Sequence, residues 1–179
     1  MKPLQLMIIF YFDAKRTQKK EKMQFTGRYI IDAPRIKVWE ALNDEDILQK
    51  TIFGCQKISW VSKEQLELEV LVNLGVVKRV FFGDLILENV IEAKKYTLKG
   101  RGRGGILGKV HASADIELKD HGSGTCLKFS ALGGGSSAIM TLGKSIVGKS
   151  AQKIIDKFFE RFAKAMGVEI FLDDEAIEE

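Results

Sequence analysis

Two glycine motifs and a few nucleophilic or titratable side chains are the places where this sequence could do chemistry. Residues 143–150, Gly-Lys-Ser-Ile-Val-Gly-Lys-Ser, fit the pattern G-x-x-x-x-G-K-[ST]. In that motif backbone N–H groups and the lysine cradle a nucleotide's phosphates. Ala138–Leu142 could supply the strand before it, and Ile170-Phe171-Leu172-Asp173 the apolar run ending in an acid that such sites also need. Gly100-x-Gly102-x-x-Gly105 fits the dinucleotide fingerprint. Neither motif has its context. A nucleotide fold needs several strand–helix–strand units with parallel strands, yet only 29 residues follow Ser150 and everything upstream reads antiparallel. After Gly105, Ile106–Leu118 alternates like a strand instead of opening a helix.

The other reactive types offer no catalytic set. His111 has outward parity and His121 falls in a turn, and the inward faces carry no carboxylate pair and no nucleophile beside a base. Cys55 and Cys126 form no CxxC and no His/Cys cluster, so no metal and no cofactor is expected. Two cysteines fit a reducing compartment without excluding a disulfide. Arg79 is the one charge with inward parity. Its stem either snorkels to a rim or brings the guanidinium to a ligand's polar head. The expectation is a protein that is not an enzyme.

The elements that would position these residues are legible in order. Gln24–Asp32 reads as a strand, Pro34–Leu42 as a short helix with Asp32 as its cap, and Asp44–Gln49 as a second short helix. Strands follow. Leu66, Leu68, Val70 and Val72 alternate with Glu67 and Glu69, and Val77, Phe81, Leu85 and Leu87 lie opposite Lys78, Asp84 and Glu88. Tyr96, Leu98, Gly100, Gly102 and Gly104 share one face against Thr97, Lys99, Arg101 and Arg103. Gly108, Val110, Ala112, Ala114 and Ile116 point inward, Asp120–Gly124 turns, and Leu127, Phe129 and Ala131 return inward.

A long helix over Ser136–Met166, about 46 Å at 1.5 Å per residue, closes the order. Val147, Ala151, Ile154, Phe158, Phe162 and Ala165 form its apolar stripe, opposite Lys149, Gln152, Lys153, Asp156, Glu160 and Lys164. Its first half is apolar almost all round, so it should touch two things. The fold class is therefore α+β, a curved antiparallel sheet wrapped around a C-terminal helix. Glycines and alanines empty the middle of the inner face. Either the helix packs closer there or a cavity remains. A cavity would be lined by Leu68, Val70, Phe81, Tyr96, Leu98, Gly100, Gly102, Ala112, Ala114 and Phe129 from the sheet, with Met140, Val147 and Ala151 from the helix.

The net charge of +4 is local. Residues 1–22 hold six Lys/Arg against two Asp/Glu, so residues 23–179 balance to zero. A nucleic-acid module carries its excess on the folded body, so no nucleic-acid partner is expected. Residues 1–22 read either as a membrane-touching arm, apolar at Leu4–Phe12 and basic at Lys15–Lys22, or as sequence ahead of a true start at Met23. The apolar run is too short to span a bilayer. The organisation is an extension (1–22), one domain (23–166) and an acidic tail (167–179).

Taken jointly, several residues resemble the CoxG family of carbon monoxide dehydrogenase accessory subunits, within the START-like (SRPBCC, Bet v1-like) helix-grip superfamily. They are Gly27, Asp32-Ala33-Pro34, Val38-Trp39, Leu42-Asn43-Asp44, Gly54-Cys55, Gly75 to Gly83, the glycine strand Gly100–Gly108, Gly124-Thr125-x-Leu127, Leu142-Gly143 and Asp156 to Phe162. The resemblance covers about Met23–Met166. It implies a bacterial accessory protein, cytoplasmic or peripheral at the inner face of the cell membrane, with an apolar cavity between sheet and helix. It also implies a lipid-like or quinone ligand, and as partner a molybdenum-containing dehydrogenase that is recruited to the membrane. A cyclase- or hydratase-like enzyme using the same cavity, and a docking scaffold with a filled core, are the alternatives. Phe53 stands where the family usually has Pro, Arg79 where it has a small residue, and the long C-terminal tail of many relatives is missing.

Overall fold

The computed structural model describes residues 22–73, 78–103, 109–134 and 144–173. The order is β1 (Lys22–Ile31), α1 (Arg35–Leu42), α2 (Glu45–Thr51), β2 (Cys55–Trp60), β3 (Gln65–Asn73), β4 (Lys78–Ile91), β5 (Lys95–Arg103), β6 (Lys109–His121), β7 (Gly124–Gly134), α3 (Lys144–Met166) and β8 (Ile170–Leu172). The strands form one sheet in the order β2-β3-β4-β5-β6-β7-β1-β8. Every described pairing is antiparallel. That topology argues against both nucleotide readings: Lys144–Ser150 is helical, the described strands all pair antiparallel, and Lys109–His121 is a strand, while Ala138–Leu142 lies outside the described residues.

The local chemistry explains most boundaries. Asp44 caps α2, its carboxylate accepting from the Ile47 N–H at 2.8 Å. Asp32 does not cap α1 as expected; Pro34 stands at that position without a side-chain bond, because its fixed φ already suits the entry to a helix. Gly122, at φ +58°, sits in the two-residue loop joining β6 to β7. Gly27 is required by a close approach: a Cβ there would stand 2.8 Å from Cζ of Phe129.

Both sheet edges are tied off, as exposed strand edges invite aggregation. At β2, the Trp60 N–H donates to Glu45 Oε1 at 2.7 Å and Gln49 Nε2 donates to the Gln56 carbonyl at 2.9 Å, so α2 occupies that edge. At the other end Ile170–Leu172, expected to belong to the tail, pairs with Tyr29–Ile31. The Asp173 N–H donates to the Arg28 carbonyl at 3.0 Å, and its carboxylate pairs with Arg28 Nε at 3.0 Å.

The buried stripe of α3 differs from the expected one. Phe159, Phe162 and Ala163 are buried, with Ile155, Phe158 and Met166 packed against the core. The stripe is rotated from the 154-158-162-165 line by about one residue, roughly 100°. Two side chains expected on the polar face are its anchors. Tyr29 Oη donates to Asp156 Oδ1 at 2.6 Å, and Gln152 Nε2 donates to the same oxygen at 2.9 Å. A helix apolar on two sides lets periodicity fit two faces, and the β1 tyrosine selects one. The Arg161 guanidinium lies 4.8 Å from the Phe53 ring centroid, a cation–π contact that gives the non-proline residue at 53 a packing role.

Candidate functional site

The sheet's register assembles the small-residue patch that the alternation suggested. Gly100 stands opposite Ala112, and Ala112 opposite Gly133. In the next row Leu98 faces Ala114, and Ala114 faces Ala131. Leu68 pairs with Gly83, Gly83 with Gly102, and Val70 with Phe81. Ten of the expected lining positions thus fall on one face of one sheet. Met140 lies outside the described residues; Val147 and Ala151 lie on α3, and their side chains, like that of Phe81, are outside the described set.

Among the described side chains, burial along this face falls toward one end of the strands, except at Gly102 on β5. On β6, Ile116 is 9% exposed, Ala114 is intermediate and Ala112 is exposed. On β5, Tyr96 is buried while Leu98 and Gly100 are intermediate; on β7, Phe129 is buried and Ala131 intermediate. Leu66 and Leu87 are buried, whereas Leu68, Val70 and Leu85 are intermediate. Among the described residues the inner face is thus packed at one end and partly exposed toward the end where β3, β5 and β7 finish, and we call this surface the cup. Gly102, one row beyond Gly100, is buried again and belongs to the wall, not the opening. At Gly100 itself a Cβ would meet nothing closer than 3.6 Å, so the space above this row is not filled by the sheet.

The floor is aromatic. Phe159 lies with its ring centroid 4.2 Å from that of Tyr29 and 5.9 Å from that of Phe129. Trp39 of α1 meets Tyr96 edge-on at 5.6 Å. Tyr96 is buried, and among the described residues its hydroxyl has no hydrogen-bond partner. Leaving such a group unpaired costs about 1–3 kcal/mol. Sequence alternation placed Tyr96 inward but could not show this, because the absence of a partner depends on every neighbour. Trp39 and the Tyr29–Asp156–Gln152 group were not anticipated, since they join segments far apart in the chain.

Both phenols resist ionisation. Burial pushes Tyr96 well above its ordinary range, and burial followed by the Asp156 carboxylate does the same to Tyr29. The folded chain thus keeps two protons that the unfolded chain releases near pH 10. Fewer protons on the unfolded state make stability fall as pH rises. The urea midpoint should hold steady up to about pH 10 and drop above it, with part of the drop absent in Tyr96→Phe. Equal slopes in the two proteins would show that Tyr96 titrates freely.

The remaining candidates are dispersed. His121 is exposed at the end of β6, Cys55 and Cys126 are free thiols, and Arg79 stands opposite Val72. Among the described residues no cluster of three or more His, Cys, Asp or Glu could hold a metal, and no helix is long and apolar enough to cross a membrane.

The family model for CoxG, a subunit of carbon monoxide dehydrogenase, matches residues 27–167, the whole cup and its helices. The chain belongs to the CoxG family. Solved structures share its fold. A conserved protein from Geobacillus kaustophilus superposes with a TM-score of 0.70 at 22% identity, covering 83% of this chain and 99% of that one. A protein of unknown function from Staphylococcus aureus gives 0.66 at 12% identity over 83% and 96%, and Ara h 8.0201 gives 0.58 at 15% over 82% and 98%. No curated protein matches in sequence. The family's name is that of a carbon monoxide dehydrogenase subunit, and the neighbours establish the fold.

Proposed function

We propose that this CoxG-family chain is a non-catalytic accessory protein that carries an apolar ligand, lipid-like or quinone, in the cup. In this role it helps a molybdenum-containing dehydrogenase work at the membrane. The observation that carries the reading is Ala112, an exposed alanine at the centre of the core-facing side of the sheet. A filled scaffold would bury that position. The lining supports an apolar ligand: Leu68, Val70, Leu85, Leu98, Ala114 and Ala131 are partly exposed and carry no charge. Such a wall binds by removing apolar area from water, at about 25 cal/mol per Å² before the costs of association. The Tyr96 hydroxyl supplies one donor near the floor, suited to a carbonyl or ester oxygen.

The test is direct titration with a dansylated long-chain fatty acid and, separately, with a short-tailed naphthoquinone. Saturable one-to-one binding of at least one probe, followed by blue-shifted dansyl or quenched tryptophan fluorescence, is expected. Non-saturating partition of both probes would remove the carrier reading and leave the docking scaffold.

A further inference from the structure

Two tyrosines lie buried on the inner side of the sheet, and the fold treats their hydroxyls differently. Tyr29 donates to Asp156 Oδ1 at 2.6 Å. Tyr96 is 8% exposed, and among the described residues its hydroxyl has no hydrogen-bond partner. The other buried hydroxyls are matched: Thr125 donates to the Ala33 carbonyl and Thr51 to the Ile47 carbonyl, each at 2.7 Å. Buried polar groups are paired as a rule. Tyr96 is the exception in this core, a donor left over for something that enters the cup.

Its place in the fold is the border of the packed end. Tyr96 stands opposite Ile116 in a buried row that continues to Phe129. Two residues on, about 7 Å along the strand, Leu98 belongs to the partly exposed row of Ala114 and Ala131. A ligand seated against that row has its inner end beside Tyr96. The charges around this end restrict what the inner end can be. Among the described residues no Lys, Arg or His occupies an inner-face strand position. Arg79, whose side chain is outside the described set, stands opposite Val72, at the other end of β4 from Leu87. The acid that Tyr29 draws to the floor, Asp156, is already held by Tyr29 and Gln152. A carboxylate beside Tyr96 would lack a counter-ion, and a buried charge is costly unless paired. Burial also keeps the phenol protonated, so it acts as a donor and calls for a neutral acceptor such as a carbonyl oxygen.

We propose that Tyr96 determines the specificity of the cup: its hydroxyl donates to a neutral carbonyl oxygen at the inner end of the ligand, which lies head inward with its apolar tail toward Ala112. The proposal deepens the carrier reading, on which it rests, by naming the class of head group and its orientation. Selectivity arises because an unpaired buried donor is a standing cost, and only a ligand that brings an acceptor removes it. An ionised fatty acid gains nothing from Tyr96 and binds, if at all, with its carboxylate outward.

The experiment is isothermal titration of the full chain, wild type and Tyr96→Phe, near neutral pH with three probes. These are the short-tailed naphthoquinone, an alkylnaphthalene with the same tail and no carbonyl, and the dansylated fatty acid. The substitution should weaken the naphthoquinone by about three- to tenfold, the worth of one hydrogen bond, and change the other two by less than about twofold. The melting temperature of Tyr96→Phe should equal or exceed that of wild type, because the ring stays and an unpaired hydroxyl goes. Equal losses for the naphthoquinone and the alkylnaphthalene assign Tyr96 to packing alone, and an unchanged naphthoquinone means that no carbonyl reaches the phenol. Either result overturns the proposal and leaves the carrier reading standing. A fatty acid weakened as much as the naphthoquinone overturns the choice of a neutral head. A clearly lowered melting temperature overturns it too, since the hydroxyl would then have a partner within the protein. Failure of all three probes to saturate wild type removes the carrier reading and this proposal together.

Discussion

Replacing Ala112 with Phe lowers affinity for the dansyl fatty acid by an order of magnitude or more while leaving the melting temperature within about 3 °C of wild type. Both halves of that result follow from the site. Ala112 is exposed on the inner face, flanked by Gly100 and Gly133 in its row, so a ring placed there finds room among small neighbours. Overpacking, which costs about 1–3 kcal/mol in a filled core, does not apply where there is no core. The ring occupies the volume that a long apolar chain needs, and the ligand is excluded sterically. Isothermal titration with the probe and a thermal melt of the same sample decide the matter. A melting temperature lowered by about 5 °C or more with unchanged affinity would mean that the region is packed and that the ligand, if any, lies elsewhere.

At the floor of the same cup the opposite result is expected. Phe162→Ala should destabilise the fold by about 3–5 kcal/mol, the usual cost of removing a fully buried aromatic ring. Phe162 is 0% exposed, stacks on Phe158 with ring centroids 6.2 Å apart, and belongs to the cluster that ties α3 to the sheet. For a domain of this size each kcal/mol moves the melting temperature by about 2–4 °C, so a fall on the order of 10 °C should appear in differential scanning calorimetry. Because Phe162 lies in the packed end, probe affinity measured well below the transition should change little. A fall under about 2 °C, or lost affinity in a stable variant, would show that the division between packed floor and open mouth is drawn in the wrong place.

Much of this architecture was legible because a strand's period of 2 leaves little freedom. Tyr96, Leu98 and Gly100 had to share a face, and so did Ala112, Ala114 and Ile116. The register then made those faces one surface. Short-range chemistry was less secure. Asp32 and Asp44 both looked able to cap a helix, and only Asp44 does, since a cap depends on the exact path of the preceding turn. The segment Ile170–Leu172 is too short to show a period, and its pairing with β1 is an accident of where α3 delivers the chain.

The sequence by itself determined the order of elements, the inward and outward sets on the described strands, and the family. Each of these is a local or one-dimensional property, written in alternation, turn residues and composition. Tertiary structure alone decided the rest. It chose which side of α3 is buried, through a phenol on β1 that needed the Asp156 carboxylate. It left the Tyr96 hydroxyl unpaired among the described residues. It also decided that burial fades from Ile116 to Ala112 along a strand whose alternation is uniform. Alternation fixes which way a side chain points, whereas cover comes from elements elsewhere in the chain, and only the packed molecule shows where that cover ends.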